Sequence, residues 1–333
     1  TIRSLLGIEM RGESNPQPWL VIDTIDPHLD GELDCRFFCD PERPGMTIRK
    51  RHGERRWEWM LMPGEDREFL LEDENIRNII APYTDVDKVE IYRKRVYDFH
   101  AIIAQRWREG RVFLAGDAAH MTPPFAGQGL NSGFRDVSNL SWKLAAVVKG
   151  EAGASILDSY ELERRDHAWE LIETALDLGR QIQPVDPAQA AERDAFFAEL
   201  NKDPASVKAL ENEMFSSIMA RSVDSGLVVA AGQDTLAGKL LIQPELLAGD
   251  GRAMLLDDAL GAGFCILGYN CDPAQVLDKA LLSRWLDIGA RPVAVYATGQ
   301  ADSHCLLDDS GELGEWLGSQ GASIVLVRPD RFC

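Results

Sequence analysis

One stretch constrains this chain more than any other: VFLAGDAAHMTPPFAGQGLNSG, from Val112 to Gly133. Its apolar opening predicts a strand over Arg111–Ala115 that runs out at an acid, Asp117. Behind the acid, Pro123 and Pro124 stiffen a loop in which Gly127, Gln128 and Gly129 leave little side-chain bulk. Phe134, Val137, Leu140, Leu144 and Val148 then recur at helical spacing. They predict a helix from about Leu130 to Lys149, with Gly150 as its C′ residue. The order is strand, acid, bare loop, helix. The G-x-G-x-x-G fingerprint of a dinucleotide-binding unit occurs nowhere in the 333 residues.

Such a string has a definite chemistry. A carboxylate at the rim of a sheet accepts hydrogen bonds only, which suits the hydroxyls of a ribose or ribityl chain. A loop without side chains lets a flat ligand lie against backbone. The first amides of the following helix have no intrahelical partner and carry the positive end of its dipole. A planar ring that gains negative charge on reduction, as a flavin does, is stabilised there.

The rest of the chain divides by pattern. Residues 11–105 read as β-rich. RRWEWMLMPGED puts Trp57, Trp59 and Leu61 on one face of a strand closed by Pro63-Gly64. In VEIYRKRVYDF, Ile91, Arg93, Arg95, Tyr97 and Phe99 share one side, and Tyr92, Lys94, Val96 and Asp98 the other. Arg95 and Tyr97 are the candidate substrate contacts, because they alternate on a strand leading into the glycine-rich loop. A long helix is predicted over 155–182, broken by QPVDP, with two acidic helical stretches near 188–200 and 204–220. A loop-rich connection follows over 226–244. Strands near 263–268, 292–297 and 323–327 then alternate with helices near 274–288 and 313–319, which predicts a small α/β unit.

Composition excludes several classes of partner. The net charge of −19 repels nucleic acid and anionic lipid, so neither is expected. No apolar run approaches the about 18 residues of a membrane span. The opening TIRSLLGIEM lacks the apolar core of a signal peptide, which favours a cytoplasmic setting. Six cysteines form no C-x-x-C, and only His28 stands loosely near Cys35 and Cys39, so no metal site is expected. The first residue is Thr, and the opening reads like the middle of a domain.

G-D-A-A-H-x-x-P-P-x-x-G-Q-G-x-N-x-G, followed by a helix containing R-D and N-L-x-W-K-L, resembles the second flavin-binding motif of the class A flavoprotein aromatic monooxygenases. The likeness spans residues 110–150 and extends to ELERRDHA. Within that family, the chain is most similar to the branch acting on hydroxyphenylpropionates and phenols. The resemblance implies a mixed α/β fold. Its parts are the tail of an FAD-binding segment (1–10), a β-sheet substrate region (11–105), a second FAD-binding segment (106–182), a helical linker (183–238) and a thioredoxin-like domain without C-x-x-C (239–333). It implies FAD held by Gly116, Asp117, Pro124, Gly127, Gln128, Gly129, Leu130 and Asn131. His120 reads as structural.

The activity so implied is hydroxylation of a phenol with O2 and NAD(P)H, through a flavin hydroperoxide; no catalytic base is identified. A homodimer fits the same family. The ADP-binding part of such an enzyme is missing here, and the chain resembles a fragment that begins just after the family's D-G motif. Two alternatives stay open: a polyketide-tailoring hydroxylase and an inactive flavoprotein-like scaffold.

Overall fold

A computed structural model of the chain describes residues 2–13, 17–26, 34–218, 226–228, 236–297 and 305–333. His28, and part of the predicted 226–244 connection, lie outside them. The chain divides into two compact units: 1–134 with 168–218, and 135–167 with 219–333.

In the first unit, α1 (Ile2–Leu5) precedes β1 (Met10–Glu13), β2 (Pro18–Ile25), β3 (Cys35–Phe38), β4 (Gly45–Arg49) and β5 (Glu54–Met60). Then come α2 (Arg67–Leu70), α3 (Asp73–Ile80), β6 (Glu90–Asp98) and β7 (Ala101–Ala104). β8 (Arg108–Glu109), β9 (Val112–Phe113) and β10 (His120–Met121) lead into α4 (Gly129–Val148). An antiparallel five-stranded sheet has the order β3-β4-β5-β2-β6, and β1-β7-β10 form a second, smaller sheet. α5 (Ser159–Ile182), α6 (Pro187–Leu200) and α7 (Pro204–Ile218) follow. The QPVDP break holds: Asp186 caps α6 by accepting from the Ala188 amide, and Pro187 occupies its first turn.

The two faces of the large sheet differ. Leu20, Ile22, Trp57 and Trp59 bury one face against Ile76 and Ile80 of α3. The tryptophan stripe expected from RRWEWML is this core. On the other face, Trp19 and Met60 pack with Phe125 and Ile182. Trp19 meets Phe125 edge-on at 5.4 Å and stacks on Phe99 at 5.9 Å. Gly179 of α5 permits this cluster, because a Cβ there would lie 3.0 Å from the Phe125 ring.

Three sequence expectations need correction. The strand predicted over Arg111–Ala115 is only the two residues Val112–Phe113, paired with Arg108–Glu109 around Gly110, whose φ is +59°. The chain leaves it at once, because Gly116 takes φ +56° and opens a 3-10 turn over Gly116–Ala118. Second, the alternation of β6 is interrupted. The register shifts between Asp23 and Thr24, and Ile91 joins Val96 against the tryptophan core while Arg93, Arg95 and Tyr97 stay on the opposite face. Third, the helix predicted near 274–288 is two helices, α9 (Pro273–Val276) and α10 (Lys279–Asp287). Asp278 starts the second by capping the amides of Ala280 and Leu281.

The second unit carries the six-stranded sheet β12-β11-β15-β14-β13-β16. Its strands are β11 (Glu245–Leu247), β12 (Ala253–Leu255), β13 (Cys265–Tyr269), β14 (Arg291–Ala297), β15 (Leu306–Asp308) and β16 (Ile324–Val327). β13, β14 and β15 are mutually parallel, and β16 runs antiparallel to β13. α8 (Leu256–Leu260) and α11 (Glu312–Ser319) supply Leu256, Leu260, Leu313 and Leu317 to a core with Leu267, Val295 and Val327. Among the described residues, no helix is long and apolar enough to cross a membrane.

Candidate functional site

The glycine-rich loop is built so that its backbone stays bare. Pro124 begins a 3-10 turn that ends at Gly127, where φ is +63°. The Gly127 amide is spent on the Pro124 carbonyl, and the first bond into α4 runs from Ser132 to Gln128. The amides of Gly129, Leu130 and Asn131 therefore have no acceptor among the described residues. A Cβ placed on Gly127 or Gly129 would meet nothing within 4 Å. Gly116 and Gly133 bring turn and helix together: a Cβ on Gly133 would lie 3.4 Å from the Gly116 Cα. The result is a helix end with three free donors beside open space.

The remaining loop residues divide between support and exposure. Gln128 is buried and donates to the Ala126 carbonyl at 3.2 Å, which braces the turn. Asn131 reaches back to the Gly127 carbonyl at 3.4 Å. Leu130 is 74% exposed. The Asp117 carboxylate is exposed and has no partner among the described residues. Its carbonyl, with that of Ala118, accepts from Arg3 at 3.2 and 2.7 Å, so the turn is held by its backbone while the carboxylate stays free. Phe125 anchors the loop to the sheet through Trp19. His120 is buried and stacked on Trp107 at 5.3 Å.

These features fit the flavin-holding role that the sequence implies. Free amides, an absent Cβ and an unpaired carboxylate are what an electron-accepting ring with a hydroxylated tail requires.

The sheet face beyond Trp19 carries charge. Asp23, 1% exposed, accepts from Arg56 Nε at 2.8 Å and Nη2 at 3.0 Å, from Lys50 at 3.0 Å and from Arg93 at 3.4 Å. Burial alone would raise the Asp23 pKa; the hydrogen bonds from Arg56 and Lys50 hold it below the usual carboxylate range. Glu58 lies one row away, opposite Val21 and Met46. It is 5% exposed, and burial raises its pKa, which favours the neutral carboxyl.

The two substrate candidates read from sequence have different surroundings. Tyr97 accepts a hydrogen bond from Arg93 at 2.5 Å, with the guanidinium 6.0 Å from its ring. Arg95 is exposed and has no ion-pair partner among the described residues. Sequence reasoning put Arg93 on the face of Arg95 and Tyr97 but passed over Asp23, Lys50 and Arg56, because the four come from three strands and a turn. The basic run RKRHGERR was the visible signal for Lys50 and Arg56.

A second polar cluster lies in the other unit. Lys143 donates to Asn139 and Glu163, both at 2.8 Å. Arg328 donates to Glu163 at 3.1 and 2.7 Å and to Asp330 at 3.0 and 2.6 Å. Asn139 also donates to Glu163 at 2.6 Å. All five residues are buried. Burial would raise the Glu163 pKa, but hydrogen bonds and charge from Arg328 and Lys143 bring it down to about 2. Burial lowers Lys143 to about 8 against the pull of Glu163. The N-L-x-W-K-L motif thus supplies a closed ion network.

The chain resembles known proteins along its whole length. Residues 1–175 match the family model described as FAD binding domain, and residues 238–333 match the HcaD C-terminal domain. A 3-(3-hydroxy-phenyl)propionate/3-hydroxycinnamic acid hydroxylase of Burkholderia cenocepacia (strain HI2424) is 38% identical over 343 residues, covering 99% of this chain and 62% of that protein. A hydroxylase of the same name from Klebsiella pneumoniae (strain 342) is 39% identical over 341 residues, covering 99% and 61%. Aklavinone-11 hydroxylase, solved with FAD and aklavinone, is similar in structure with a TM-score of 0.72 and 26% identity, covering 99% of this chain and 61% of that one. The chain therefore spans a little over three-fifths of the length of these relatives.

Proposed function

The chain belongs to the FAD binding domain family, and from that premise we propose that it forms the greater part of a flavin-dependent aromatic hydroxylase acting on a phenol of the 3-(3-hydroxyphenyl)propionate type. The observation that carries this reading is the set of free amides at Gly129, Leu130 and Asn131 beside the unobstructed Gly127. FAD, when bound, supplies O2 activation with reducing equivalents from NAD(P)H.

The chain's own residues bind and orient. Gly129 to Asn131 donate to the ring edge and favour negative charge there. Asp117 accepts from the ribityl hydroxyls, and Gly116, Pro124 and Gln128 hold the turn that presents it. Phe125, Trp19 and Met60 exclude water from the adjoining sheet face. Tyr97 and Arg95 belong to the substrate side. The setting is cytoplasmic, and the domain limits are those read from the sequence.

The remaining length of the relatives has a place in this reading. Leu130 and Phe134, 74% and 63% exposed, lie one helical turn apart on α4. A further segment carrying the ADP-binding fingerprint would cover them and complete the FAD site.

Purification with FAD tests the proposal: a yellow protein absorbing near ~450 nm is expected, as for oxidised flavin. Joined to a segment that carries the ADP-binding fingerprint, it should couple NAD(P)H oxidation to hydroxylation. A colourless protein that also fails to quench added flavin fluorescence would overturn it. The likeness to aklavinone-11 hydroxylase favours a second reading, hydroxylation of a polycyclic phenol. Product formation from hydroxyphenylpropionate against a polycyclic phenol decides between them.

A further inference from the structure

The second unit encloses an apolar space that its own side chains leave open. One wall is β16, the last strand of the six-stranded sheet. Val325 and Val327 turn into the core of the unit, so Ile324 and Leu326 take the opposite face of the strand. Three rings join them. Trp142 of α4 meets Phe264 edge-on at 5.4 Å, and Phe264 meets Trp285 of α10 at 6.0 Å. With Ile288, 52% exposed, these residues line a cavity of about 650 Å³. Small-molecule sites occupy roughly 300–1,000 Å³.

The helix beside the cavity bears this out. Leu281, Trp285 and Ile288 recur at spacings of four and three, the pattern of a helix face made for burial. Yet no residue of α10 is buried. A ligand in the cavity would cover part of that face, which is favourable for apolar surface.

Two further features define what fits. The Trp142 Nε1–H is buried and has no acceptor among the described residues. A buried donor without an acceptor is costly, and a ligand oxygen would satisfy it. Arg328 also lines the cavity, but its guanidinium is already bonded to Glu163 and Asp330. With Lys143, that cluster holds as many carboxylates as cations, so no positive charge is left to draw an anion. A cationic ligand gains nothing either, because Lys143 and Arg328 already lie over the Trp142 ring at 5.7 and 5.5 Å.

We infer that this cavity is a second ligand site, built from no residue of the glycine-rich loop or the large sheet, and that it takes an uncharged aromatic molecule with one acceptor oxygen, such as an aryl ketone or ether. The ligand ring packs among Trp142, Phe264 and Trp285, and its oxygen accepts from the Trp142 N–H. The site goes beyond the hydroxylase reading and does not depend on it.

Calorimetry and tryptophan fluorescence on the whole chain test this. The probes are 1-tetralone as the neutral ketone, tetralin as its skeleton without the oxygen, and 1-naphthoate as an anion. The ketone should bind severalfold more tightly than tetralin, the value of one hydrogen bond, and roughly tenfold or more tightly than naphthoate. Trp142→Phe keeps a ring and removes the donor, so the ketone should fall to the affinity of tetralin. Ile288→Trp, at an exposed position, narrows the cavity and should weaken both neutral probes about tenfold. Tyr97→Phe, on the large sheet, should change neither. No binding of the ketone, naphthoate binding as tightly as the ketone, or a ketone affinity unmoved by Ile288→Trp would overturn the inference. So would an equal loss in Tyr97→Phe, which would put the ketone on the large sheet instead. Circular dichroism separates lost contacts from lost folding, and the surface substitution Ile288→Trp decides even where Trp142→Phe fails to fold. A chain that binds the ketone but no flavin would overturn the hydroxylase reading and leave this site standing.

Discussion

The chain holds two polar constellations that obey opposite rules. Around Glu163, every charge is buried and every charge has a partner within the chain. Around Asp117 and Asp23, charges and amides are left over among the described residues: three donors without an acceptor at the start of α4, a carboxylate without a partner, and cations that outnumber the acids they face. A closed network gains nothing from a ligand and specifies the fold. An open one has kept its hydrogen-bonding capacity for something else. Both motifs look alike in sequence, as charged residues in a helix or loop, and only their satisfaction separates them.

That contrast is sharpest at Glu163. Replacing it with Gln leaves Lys143 and Arg328 as buried cations without their shared anion, and should cost about 3–5 kcal/mol of stability. Urea unfolding checks this, and a loss below about 1 kcal/mol would break the comparison. The same carboxylate should give the protein an acid-sensitive window. With its pKa brought down to about 2 from the 4.5 of a free glutamate, its contribution is complete above pH 4.5 and is lost as pH falls through about 2. Unfolding midpoints measured across that range should fall steeply in the native chain and more gently in Glu163→Gln.

The open constellation should behave in reverse. Gly129→Ala meets no steric obstacle and swaps Gly for the better helix former, so stability should hold or rise by up to about 1 kcal/mol. Flavin affinity should nevertheless fall, because a methyl group enters the space beside the free amides; fluorescence titration with FAD measures it. Asp117→Ala should move stability least, within about 0.5 kcal/mol for an exposed residue without a partner. It should still lower flavin affinity roughly tenfold, the value of a hydrogen bond to a charged group. If Asp117→Ala destabilised the fold as Glu163→Gln does, the distinction drawn here would fail.

Much of this was legible in the residues. The Pro-Pro and Gly-Gln-Gly run foretold a bare loop feeding a helix, and α4 begins at Gly129, one residue from where the pattern placed it. Trp57, Trp59 and Leu61 were legible as a buried stripe because period-two alternation is a local property. The register shift at Asp23 was not, since a bulge is decided by the neighbouring strand, and it left Ile91 on the wrong face. The Asp23 and Glu163 clusters escaped for the same reason. Asn139 and Arg328 are nearly two hundred positions apart, and no spacing rule connects them. Short strands such as β11, β12 and β15 gave no signal of their own, being three residues each and defined by their partners.

The edge-on seating of Trp19 against Phe125 has an optical consequence. If that loop holds a flavin as proposed, the indole of Trp19, packed against it from β2, is a donor placed beside its acceptor. When that loop is filled, excitation of Trp19 should pass to the guest rather than emerge as ultraviolet light. The protein carries its own occupancy gauge, readable without any label.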